Sequence, residues 1–175
     1  CIPGNHDVPG PMLKELQGAP FQLGGLAHWP GWFAVMLDST LAGCARGRLG
    51  DASLEWLDRA LTEQAGSHGI VCLHHHPVPM NSAWLDEVGL ENAGEFLRVL
   101  DRHRNVRAVL WGHVHQIHEQ VRNGVRFLSA PSTCTQFLPR SNAFALDERP
   151  PGYRWLELGP DGSFETGVEW VLAGG

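Results

Sequence analysis

The apolar positions of the chain fall into short continuous runs that stop at polar, histidine-rich boundaries. Residues 33–37, 70–73 and 106–111 are such runs, with the length and β-branched character of strands buried on both faces. Between them the period changes. Leu54, Leu57 and Leu61 recur at helical spacing behind Asp51, which the pattern places as a helix cap. Phe96, Leu97 and Leu100 form an apolar stripe behind Asn92 and Glu95, a capping-box-like start. A shorter helix over 12–16 follows the turn residues Pro9, Gly10 and Pro11, and Cys1-Ile2-Pro3 reads as the tail of a strand. Downstream, residues 116–121 and 125–129 flank Asn123-Gly124, the strongest hairpin signal in the chain. Residues 153–158 and 164–171 flank Pro160-Asp161-Gly162-Ser163 in the same way. Strand–helix units giving way to antiparallel hairpins predict an α/β fold, two sheets packed face to face with helices outside.

Composition narrows the function classes. A chain of 175 residues is one domain by size. A net charge of −6 argues against a binder of nucleic acid polymers, which carries a basic face. No apolar run approaches the ~20 residues that span a bilayer, so no membrane partner is expected. Cys1, Cys44, Cys72 and Cys134 show no Cys-x-x-Cys spacing; scattered among apolar neighbours, they read as structural thiols of a cytoplasmic protein. The chain begins with Cys1 and carries no signal-peptide pattern, which reads as an internal fragment.

Candidate chemistry sits where the strand runs end. Val106 to Trp111 leads into Gly112-His113-Val114-His115, where a glycine permits close backbone approach and an i, i+2 pair aims two imidazoles into one crevice. Gly4-Asn5-His6-Asp7 offers an amide oxygen, an imidazole and a carboxylate, though the same residues suit a polar turn. The third end is His74-His75-His76-Pro77. On extended backbone neighbouring side chains point to opposite faces, so one or two of these histidines reach the crevice. The loop 79–89, carrying Met80, Trp84 and Leu85, is long for a plain connection and is a candidate mouth for a substrate. Trp84 there is either a stacking wall or a core residue.

The order Gly-Asn-His-Asp, His-x-Pro, Gly-His-x-His closely resembles that of the calcineurin-like metallophosphoesterases. The flanks Trp84-Leu85-Asp86, Gly89-Leu90-Glu91-Asn92, Pro131-Ser132-Thr133-Cys134-Thr135-Gln136-Phe137 and Pro151-Gly152-Tyr153-Arg154-Trp155-Leu156 extend the resemblance to the bacterial class III 3′,5′-cyclic-AMP phosphodiesterases, over essentially the whole chain. The resemblance implies a four-layer α/β/β/α sandwich around a dinuclear centre of Fe, Mn or Zn. By position, Asn5, His75 and His113 would bind one metal and His115 would join the other. His6 matches the catalytic histidine near the leaving group, while Asp7, His74 and His76 become supporting residues and Trp84 part of the substrate loop. The implied activity is hydrolysis of cyclic AMP to the 5′-monophosphate by a two-metal-activated hydroxide. Another phosphodiesterase or phosphatase of the same fold, or a non-catalytic metal-binding fragment, remains the alternative.

The chain departs from the family at one place. Members open with an Asp-x-His strand end and a Gly-Asp strand end, and no matching pair precedes Gly4. Asp101-Arg102-His103 and Gly50-Asp51 have the spacing but follow in the wrong order, at a helix end and a helix cap. The resemblance therefore implies the C-terminal two-thirds of the domain, over 1–175, without its first βα units.

Overall fold

In a computed structural model, which describes residues 1–16 and 18–172, the apolar runs become the inner strands of a six-stranded sheet. The elements in chain order are α1 (Pro9–Glu15), β1 (Gly25–Trp29), β2 (Trp32–Met36), α2 (Asp51–Glu63), β3 (His68–Leu73), α3 (Ala83–Asp86), α4 (Ala93–Leu100), β4 (Val106–Trp111), β5 (Glu119–Arg122), β6 (Val125–Ser129), β7 (Gln136–Phe137), β8 (Leu146–Asp147), β9 (Gly152–Leu158) and β10 (Phe164–Trp170). The main sheet runs β1-β2-β3-β4-β6-β5. Its four inner strands are parallel, and an antiparallel strand closes each edge.

The two-residue period of the strands sorts the core into two faces. Phe33, Val35, Val71, Leu73, Val109 and Trp111 point to one side and pack with Leu57 and Leu61 of α2 and Phe96 and Leu100 of α4. Their neighbours Trp32, Ala34, Ile70 and Ala108 point to the other, where Leu156, Leu158 and Phe164 of the β9–β10 hairpin cover them. Ala34, Ile70 and Ala108 stand in register across β2, β3 and β4, a shallow strip on which the hairpin lies. Trp32 Nε1 fixes that hairpin by donating to the Gly159 carbonyl at 2.8 Å. The described residues thus supply helices, a main sheet and two small two-stranded sheets, β9–β10 and β7–β8. No outer helical layer on the hairpin comes from α2 or α4, since both pack on the opposite face.

Several boundaries differ from the sequence expectation. Gly50, not Asp51, is the N-cap of α2; Asp51 is the first helical residue, where its carboxylate meets the positive end of the helix. Asn92 occupies the N-cap of α4 without capping it. Its amide is spent on the chain entering α2: Oδ1 accepts the Leu49 N–H at 3.0 Å, and Nδ2 donates to the Leu49 carbonyl at 2.8 Å and to Glu95 at 2.8 Å. Cys1-Ile2-Pro3 forms no strand, although the Cys1 carbonyl accepts the Gly24 N–H at 2.8 Å beside β1. The first hairpin strand begins at Glu119 because Gln116 is drawn inward, its carbonyl taking the Ser129 hydroxyl. Strands β1, β7 and β8 have no pattern to announce them: the first is half-exposed, and the others are two residues long.

Asn92 generates a test of this packing. Asn92→Ala should lower unfolding free energy by about 2–3 kcal/mol, since it orphans both backbone polar groups of the fully buried Leu49. Glu95→Ala, which removes only a half-buried partner of Nδ2, should cost less than about 1 kcal/mol. Urea midpoints of the two variants check the ranking; equal losses would mean that the Leu49 bonds are not what Asn92 contributes.

Candidate metal centre

The turn before α1 and the loops at the C-terminal ends of β3 and β4 meet in one cavity. Asn5 Oδ1 lies 2.9 Å from His74 Nε2 and 3.1 Å from His113 Nδ1, and those two nitrogens are 3.2 Å apart. No protonation state makes all three contacts hydrogen bonds. If both rings donate to the amide oxygen, the two N–H groups face each other; if either is deprotonated, an acceptor faces an acceptor. Turning the amide over fails for the same reason. Ligands about 2.0–2.2 Å from one cation sit roughly 3 Å apart, so this triangle has the dimensions of a metal-binding face.

The imidazoles are prepared as neutral donors. Burial, reinforced by His113, His75, His115 and His6, holds His74 down at about 3. Burial and the neighbouring His75 hold His113 at about 4, and burial with His76 holds His75 at about 4. Burial also lowers His115, whose Nδ1–H donates to the Thr135 carbonyl at 2.8 Å and leaves Nε2 with its lone pair.

The sequence placed these residues unevenly. His74, expected as a supporting residue, touches Asn5 directly. His75, expected as the ligand, has its Nδ1 on Ser39 Oγ at 2.8 Å, is fully buried, and lies with His74 and His113 in a group whose donor atoms are within 4.8 Å of one another. Of the three consecutive histidines, His74 lines the cavity and His75 joins it in that donor group, and the backbone bends at both residues. All three rings consequently surround His113, at centroid distances of 5.0, 4.7 and 5.8 Å. His76 is buried, 3.8 Å from Asp86. His6 is exposed at the cavity wall. Asp7 orients no ring: its Oδ2 accepts the Gly4 N–H at 2.7 Å and closes the turn. Trp84 lies on the cavity wall and also packs on the core.

Ser39 was not singled out by sequence. It is fully buried, and its Oγ accepts the N–H of His74 and of His75 at 3.3 Å while holding the His75 ring. Its signal was a polar residue shortly after the end of an apolar run. The glycine expected at close quarters was Gly112, yet a Cβ there would make only ordinary contact, 3.5 Å from His74. Crowding falls on Gly4, where a Cβ would stand 2.6 Å from the His74 ring, and on Gly47, 2.3 Å from that of His75. The rejected pairs are engaged elsewhere: Asp101 binds Arg122 and Asn123, and His103 binds Asp58.

The calcineurin-like phosphoesterase family matches residues 1–117. The chain belongs to that family. It is 41% identical over 168 residues to the 3′,5′-cyclic adenosine monophosphate phosphodiesterase CpdA of Pseudomonas aeruginosa, covering 96% of this chain and 61% of that protein. CpdA of Escherichia coli K12 is 41% identical, with 95% and 61% covered. A 3′,5′-cyclic-nucleotide phosphodiesterase of Nostoc is 38% identical, with 97% and 64% covered. The chain thus spans about three-fifths of the length of these relatives. A dimetal phosphatase from Danio rerio shares the fold at a TM-score of 0.59 and 18% identity, over 87% of this chain and 66% of that one. Among the described residues no helix is long and apolar enough to cross a membrane.

Two tests follow from this geometry. Gly4→Ala should push the His74 ring off Asn5 and weaken binding of a divalent cation by about 10-fold or more, read by metal titration. In the metal-free protein the depressed imidazoles also fix a pH slope. The unfolded chain takes up protons below about 6.5 that the folded histidines refuse, so their contribution is complete above 6.5 and is lost as pH falls toward 4. Denaturant midpoints should therefore fall between pH 6.5 and 4, and less so in His74→Gln; a flat profile over that range would contradict the neutral cluster.

Proposed function

We propose that the protein hydrolyses a 3′,5′-cyclic nucleotide, cyclic AMP in the first instance, to the 5′-monophosphate, using a metal centre in this cavity. The observation that carries the reading is the identity to proteins named cyclic-AMP phosphodiesterases along nearly the whole chain, together with converging neutral donors at the cavity floor. We assign Asn5, His74 and His113 as the donors to one cation, with His75 beside them and His115 Nε2 for a second. Mixed oxygen and imidazole donors suit Fe, Mn or Zn. A bound divalent cation would supply Lewis acidity, polarising the phosphoryl oxygens and lowering the pKa of a water toward ~7.

The chain's own residues perform the remaining tasks. Water attacks phosphorus, the bond from phosphorus to O3′ breaks, and O3′ requires a proton. His6, exposed at the wall of the same cavity, is the group we assign to deliver it. Asp7 keeps the turn that carries Asn5 and His6, and Ser39 fixes the bend that presents His74. All four cysteines are free, and burial pushes the Cys72 thiol up to about 12, an inert group suited to the cytoplasm.

In the full-length protein, His74→Ala and His113→Ala should each remove bound metal and reduce turnover by at least about 100-fold. His6→Ala should reduce kcat by about 100-fold or more with metal content retained. Metal analysis beside kinetics on cyclic AMP, cyclic GMP and bis-p-nitrophenyl phosphate decides the matter. Full metal occupancy in both ligand variants would sink the assignment, and turnover of the aryl diester alone would reassign the substrate. A polypeptide of residues 1–175 by itself should take up at most one cation, weakly, because a single converging donor cluster is present among its described residues.

A further inference from the structure

The cavity has two unlike halves. Its volume is about 300 Å³, at the small end of the range of organic-ligand sites. Its lining combines Asn5, His6, His74, His113 and His115 with three aromatic side chains, Trp84, Phe137 and Phe144. These three rings meet edge to face, Trp84 to Phe137 at 5.1 Å, Trp84 to Phe144 at 5.3 Å and Phe137 to Phe144 at 5.4 Å. Phe137 also stacks flat on His115 at 4.1 Å, so the wall begins where the donor set ends.

Phe144 is the feature the metal chemistry leaves unused. It is 61% exposed, on the connection between β7 and β8, with exposed Leu138 and Leu146 on the same hairpin. A large ring left in water at the rim of a polar cavity marks a binding surface for an apolar group. The wall offers no charged side chain, and flat aromatic ligands bind such surfaces by stacking.

We infer that Trp84, Phe137 and Phe144 form the nucleobase subsite of this cavity, with Phe144 the specificity-determining residue that closes over the base while the phosphate rests on the histidine floor. The inference rests on the proposed phosphodiesterase reading and adds to it what recognises the organic end of the substrate. Trp84 anchors the wall from the core side, and Phe144 presents the exposed ring.

The test uses the full-length protein and its Phe144→Ala and Phe144→Tyr variants. Phe144→Ala should raise KM for cyclic AMP about 3- to 10-fold, with kcat and metal content unchanged, and Phe144→Tyr should restore wild-type KM. Binding of adenosine 5′-monophosphate against ribose 5-phosphate, measured by competition, isolates the base. Its preference for the nucleotide should shrink by the same factor in Phe144→Ala. An unaltered KM with an unaltered preference overturns the subsite while leaving the phosphodiesterase reading intact. A protein that turns over no cyclic nucleotide refutes that reading; the subsite then stands or falls on the nucleotide preference alone, and its absence in the wild type overturns it.

Discussion

Asn5 Oδ1, His74 Nε2 and His113 Nδ1 stand about 3 Å apart with too few hydrogens among them to satisfy one another. Left alone, such an arrangement is unfavourable, because each lone pair without a proton faces another. The fold nevertheless enforces it from several directions. His113 and His115 adopt positive φ, 65° and 47°, a conformation costing about 1–2 kcal/mol for a residue with a Cβ. Val114 between them is fully buried and pins the loop to the core, so the strain cannot relax. Gly4 and Gly47 leave just enough room for the His74 and His75 rings. Strain and unsatisfied donor atoms held by rigid packing are what a site preorganised for a cation would require.

That arrangement follows from sheet geometry. The donors come from the turn before α1, the bend after β3 and the loop after β4, and β3 and β4 are adjacent parallel strands in fixed register. Loops leaving neighbouring parallel strands at the same end are brought together without any special interaction between them. What the sequence must add is local: a glycine where a ring crowds the backbone, a serine where two amides need an acceptor, and a buried valine between two histidines.

Much of this was legible in the sequence, and the losses have physical causes. The inner strands, α2, α4 and both hairpins follow from short continuous apolar runs, from the 3.6-residue period and from turn signals, among them Asn123-Gly124, which adopts the positive φ expected of its turn. The site residues were legible as a set, because histidines at strand ends are rare outside ligand sites, but their division of labour was not. The resemblance puts the ligand at His75, two residues before Pro77, with His74 in support; the bend at His74 and His75 sets both rings beside His113, and it is the His74 ring that reaches Asn5. Asn92 misled in the converse way. Its spacing to Glu95 is that of a capping box, yet tertiary demand from Leu49 took the amide first. Phe144 was invisible for a third reason: its hairpin has two-residue strands, too short for any periodicity, and its meaning lies in nearness to Trp84, sixty residues away.

The contrast between the two halves of the cavity has a consequence for how such a site discriminates among substrates. On the proposed reading, a cation held by the imidazoles and the amide oxygen would take any phosphoryl group, since such a centre carries no information beyond charge and geometry. Its donors lie on loops tied to the rigid inner strands and cannot vary without losing the centre. The aromatic residues sit on the β7–β8 hairpin and on α3, outside the main sheet; Phe144 is exposed there, while Trp84 and Phe137 also pack against the core. On the proposed reading, chemistry and specificity would thereby be carried by different parts of the chain. His115 is where they join: its Nδ1–H is committed to Thr135, two residues before β7 ends, and its ring face to Phe137. A shift in the hairpin would therefore move the His115 imidazole along with the aromatic rings and, on the proposed reading, couple the fit of the organic group to the geometry of the centre.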